Sequence, residues 1–81
     1  MDNNTAIIDR QVWNFIEDAS EQACAEYGVN EKEVWDDKRF GYLQEFADGL
    51  IQEVLGWGRS YESVRFSAIN YVRAVIMQFA A

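Results

Sequence analysis

Two glycine-bearing breaks, Gly28-Val29-Asn30 and Gly56-Trp57-Gly58, divide the chain into three stretches in which apolar residues recur every three or four positions. That spacing marks helices with one buried face. No stretch shows the strict alternation of a half-buried strand, and the absence of proline leaves glycine as the main helix breaker. The 81 residues allow one domain. The expected fold is all-α, a compact three-helix domain spanning 1–81, with helices at about 5–27, 31–56 and 60–80. At 49% hydrophobic and 15% aromatic residues the chain is too apolar to stay disordered.

In the first stretch Ile8, Val12, Phe15, Ile16, Ala19 and Ala23 form one stripe, opposite Arg10, Asn14, Glu17, Asp18 and Glu21. Asn4 or Thr5 is the expected cap, and Gly28 the expected left-handed terminator, folding Val29 back onto Ala23 or Cys24. Asn30 then suits an N-cap, with Glu33 three residues on and Val29 and Val34 in the positions of a hydrophobic staple. Phe40, Leu43, Phe46, Ala47, Leu50, Ile51 and Val54 make the next stripe. Continued backwards, it would bury Asp36 unpaired, which is costly. A break near 36–38 is therefore expected, with Asp36 or Asp37 capping the longer helix, Gly56 ending it and Trp57 packing back on Ile51.

Ser60 is the expected cap of the last helix, whose core stripe is Tyr61, Val64, Ala68, Tyr71, Val72, Val75 and Phe79. Phe66, Ile69 and Met77, with Arg73, fall on a second strip roughly opposite. Three short helices cannot easily cover both sides of one of them, so this strip is a candidate surface for self-association or for a partner. Trp13, at the edge of the first stripe, and Trp35, just before the break, are expected to be partly exposed and are candidate aromatic anchors.

The chain has no histidine, so the commonest general base and transition-metal ligand is absent. One cysteine cannot assemble a zinc site or an intrachain disulfide. No calcium loop, phosphate-binding loop or carboxylate-bridged di-iron motif occurs. Asp36-Asp37 and Glu17-Asp18-Glu21 lie along helix surfaces, where they do not face each other across a cleft. No enzyme activity, cofactor or metal is expected. Cys24 sits among Glu21 and Glu26, whose charges oppose thiolate formation. The amino terminus lacks a basic region followed by an apolar run, and no stretch reaches the roughly 20 apolar residues that span a bilayer. A cytoplasmic, membrane-free location is expected.

Charge is the most distinctive feature. The net charge is −7. Residues 1–37 carry ten acids against two bases, and residues 38–81 four acids against five bases. The cluster Glu17, Asp18, Glu21, Glu26, Glu31, Glu33, Asp36 and Asp37 contains Lys32 as its one base. Such a face repels phosphate backbones, which argues against direct nucleic-acid binding, and attracts basic protein surfaces. Solubility alone also accounts for many surface acids. Being short, acidic, helical and cysteine-poor, the chain is similar in general type to the small proteins with which phages and mobile elements block host enzymes and defence complexes. The resemblance is one of size and charge, without a shared motif. It implies a stoichiometric inhibitor or adaptor occupying a basic groove, such as a nucleic-acid channel. The alternative is a structural homodimer or small assembly subunit packing through the third helix.

Overall fold

The computed structural model describes residues 3–40 and 42–81. The chain is all-α, with no strand among the described residues. Helix α1 spans Asn3–Tyr27, α2 Glu31–Asp36, α3 Leu43–Trp57 and α4 Tyr61–Ala80, with a 3-10 turn over Lys38–Phe40. At about 1.5 Å per residue, the 25 residues of α1 account for the 38 Å long axis of the molecule.

Side-chain contacts fix the topology. Phe15 meets Tyr61, and Glu26 meets Arg73, so α1 and α4 run parallel. Phe46 stacks on Tyr71 at 3.9 Å, and Glu53 near the far end of α3 pairs with Arg59 at the start of α4, so α3 runs antiparallel to both. Helix α2 and the 3-10 turn cross the end where α1 and α4 finish. Trp35 is bonded to Ser20 there, and Phe40 packs edge-on against Phe79. The core joins Val12, Ile16, Ala19 and Ala23 of α1 to Val34, Phe40, Ala47, Leu50 and Ile51, and to Val64, Ala68, Val72, Val75 and Ile76 of α4. The alanines, ending at Cβ, let α1 and α4 approach closely.

The first corner forms as its sequence predicts, and the expected N-caps Asn30 and Ser60 are both in place. Gly28 is left-handed (φ 67°), and the Val29 amide donates to the Cys24 carbonyl. The Glu33 amide donates to Asn30 Oδ1, and that of Ser63 to Ser60 Oγ. Val29 and Val34 both pack into the core.

Five local expectations are corrected. Helix α1 already begins at Asn3, so Asn4 and Thr5 lie inside its first turn rather than capping it. The break after Asp36 occurs, but it is longer than expected and extends to Tyr42. Asp37 caps the 3-10 turn by accepting the Arg39 amide at 2.9 Å, while Tyr42 stands before α3 without a side-chain cap bond. Gly56 remains helical, and Gly58 is the left-handed terminator (φ 67°). Trp57 is 81% exposed and does not pack on Ile51. It lies three residues beyond Val54, the last α3 residue packed on the core, so the ring projects past the core's end. Asp36 is exposed, consistent with the cost that made the break necessary. Among the described residues no helix is long and apolar enough to cross a membrane.

Candidate protein-binding surfaces

The eight acids separate into two groups. Two are neutralised internally. Glu26 accepts two bonds from the Arg73 guanidinium, at 2.8 and 3.1 Å, which ties α1 to α4. Asp37 is held by Arg39 at 2.8 Å within the 3-10 turn. These hydrogen bonds, reinforced by the adjacent positive charges, hold both carboxyls below their ordinary range. The other six, Glu17, Asp18, Glu21, Glu31, Glu33 and Asp36, are exposed and in no ion pair among the described residues.

Glu17 and Glu21 stand one turn apart on the outward side of α1, and Cys24 follows Glu21 by three residues on the neighbouring flank. Burial pushes the Cys24 thiol up, a bond with Ser20 opposes this, and the charge of Glu31 adds to the rise. Glu31, at the start of α2, therefore lies within electrostatic reach of Cys24 near the end of α1. Lys32 follows Glu31, and Arg10 lies further down α1. Asp18 sits at the seam between α1 and α4, lining a small hollow with Phe15, Gln22, Arg65 and Ile69.

The second apolar strip is divided. Phe66 and Met77 are 68% and 51% exposed, whereas Ile69 turns into the α1–α4 seam and packs on the core. Arg73 is half-buried through its pairing with Glu26. The outward line of α4 therefore runs Phe66, Asn70, Arg73, Met77, and the spacing alone had not singled out Asn70. Trp13 and Trp35 are both half-buried and packed against the core. The Trp35 indole donates to Oγ of Ser20, itself 1% exposed, at 2.8 Å. The tryptophan that stands clear of the molecule is Trp57. Its position between two glycines, past the end of a stripe, is the sequence signal for that exposure.

A concavity of about 380 Å³, open to solvent, lies at the start of α4 between Arg59, Ser60, Glu62, Ser63, Phe66 and Ser67. Its polar groups are largely committed. Arg59 is bonded to Glu53, to Ser63 through both side chain and carbonyl, and to Ser67. Ser60 caps α4. None of its serine hydroxyls is hydrogen-bonded to Glu62 among the described residues. Among the described residues no cluster of three or more acids or thiols is placed to hold a metal ion. In comparisons with protein-family models, curated proteins and solved structures, nothing matches the chain.

Proposed function

We propose that this chain is a small acidic protein-binding module, a stoichiometric inhibitor or adaptor that occupies a basic surface of a partner. The surface with the best-matched chemistry is one that otherwise handles nucleic acid, because six unneutralised carboxylates compete there for the cations that hold phosphates. The carrying observation is the division among the acids. The fold consumes Glu26 and Asp37 internally but leaves Glu17, Asp18, Glu21, Glu31, Glu33 and Asp36 outward on helical supports. Rigid helices hold those charges in a fixed pattern, so little ordering entropy is lost on binding. The protein acts by occupancy rather than turnover. Its one cysteine is free and buried, which suits a reducing cytosol.

The test is titration against purified nucleic-acid-handling proteins at rising ionic strength. Affinity should fall steadily with salt, and the triple reversal Glu17→Lys, Asp18→Lys, Glu21→Lys should weaken binding at least about tenfold. Binding that ignores salt and survives the reversal rules this reading out.

A further inference from the structure

Along the outward side of α4, Ser63, Phe66, Asn70, Arg73, Met77 and Ala80 succeed one another at steps of three, four, three, four and three residues. This is the spacing by which two helices lay a shared seam between them. Five of the six residues are exposed, and Arg73, half-buried, has its charge met by Glu26. Ser67 and Ala74, which flank the line, are short enough to let a second helix come close. We propose that two copies of this chain pair antiparallel through α4, about a two-fold axis passing between Tyr71 and Val72.

In that register each position meets a fitting one. Phe66 faces Met77 of the other copy on both sides of the axis, a thioether against an aromatic ring. Asn70 faces Arg73 of the other copy, an amide oxygen opposite a guanidinium. Ser63 faces Ala80, small against small. A two-fold interface requires such self-complementarity, and a parallel alignment would instead set Phe66 on Phe66 and Arg73 on Arg73.

Charge selects the occupant. The chain carries −7, yet none of these six positions bears an acid; the nearest acids outside ion pairs are Glu62, beside Ser63 at the end of the line, and Asp18, in the α1–α4 seam. A basic partner finds no acid at these six positions, whereas in this register Glu62 falls opposite Ala81, so a second copy sets no acidic side chain of α4 against another. The pairing uses none of the residues assigned to the acidic surface and stands independently of it. One five-turn helix against its copy buries less than the roughly 1,200 Å² of a standard interface, so the dimer is weak and reversible.

Sedimentation velocity from about 10 to about 500 µM, where mass action populates a weak dimer, is expected to show the average mass rising from monomer towards dimer. Added salt should favour the dimer by screening the net charge, the opposite of its effect on a basic partner. Phe66→Asp and Met77→Asp should each weaken association at least about tenfold while leaving the helical circular dichroism unchanged, since both sites are exposed. A short thiol cross-linker should join Phe66→Cys chains to Met77→Cys chains in a mixture. A monomer at every concentration, or association indifferent to both aspartate substitutions, overturns the proposal. Preferential linking of Phe66→Cys chains to one another overturns the antiparallel register.

Discussion

At the α1–α2 corner the chain runs Tyr27-Gly28-Val29-Asn30, and at the α3–α4 corner it runs Trp57-Gly58-Arg59-Ser60. The backbones follow the same plan. Each has a glycine at φ 67°, one linking residue, a polar N-cap, and a fully buried valine four residues beyond the cap, Val34 or Val64. The fillings differ. Val29 turns inward to join the core, and the preceding Tyr27 lies half-buried beneath the Arg73 guanidinium. Arg59 instead latches its corner through Glu53, Ser63 and Ser67, and Trp57 is left in solvent. One turn chemistry thus serves two ends with different physics. Burial closes the first, and a charge-assisted network closes the second.

Substitutions can break this comparison or sharpen it. The largest losses should come from what the corners share. Val34→Ala and Val64→Ala should each cost about 2 kcal/mol, measured by urea unfolding, because both valines are completely buried. A much smaller loss at either site would mean that the corners are not anchored alike. Arg59→Met should cost about 1–2 kcal/mol by stripping a partly exposed Glu53 of its partner. Val29→Ala, removing only apolar contact, should cost about 1 kcal/mol and show no salt dependence. Equal salt dependence at the two sites would erase the distinction between them.

Gly28→Ala and Gly58→Ala should cost about 1 kcal/mol each, and equally. An added Cβ meets nothing within 4 Å at either position, so the penalty is conformational alone. Unequal costs would reveal strain in one turn. The Glu26–Arg73 pair near Tyr27 adds a smaller, pH-dependent contribution. Because Arg73 lowers the Glu26 carboxyl, the stabilisation is present above the ordinary carboxylate range and is lost as pH falls through the lowered value. Wild-type and Arg73→Gln unfolding midpoints should therefore differ at neutral pH and converge in acid. A gap that persists unchanged in acid counts against this assignment. Smallest of all, Trp57→Ala should change stability by less than about 0.5 kcal/mol, as expected of an exposed side chain. A larger loss would show that the ring contributes to its corner after all.

Much of this molecule follows from the order of its residues. The spacing of Val12, Ile16, Ala19 and Ala23, and of Val64, Ala68, Val72 and Val75, makes helices with one buried stripe in almost any compact chain. Gly28, Asn30 and Ser60 mark their ends because caps and left-handed turns depend on neighbours within a few residues. The break after Asp36 is legible for a similar reason: continuing the helix would bury a carboxylate. What needed the assembled bundle was every pairing across elements. Nothing local shows that Arg73 meets Glu26 or that Trp35 spends its indole donor on Ser20. These partnerships decide which acids stay outward, that Ile69 is covered while Phe66 and Met77 are not, and that Trp57 clears the core. Propensity and capping act over a few residues. Charge pairing and solvent exposure depend on which helix lies alongside, and chain spacing alone does not specify that neighbour.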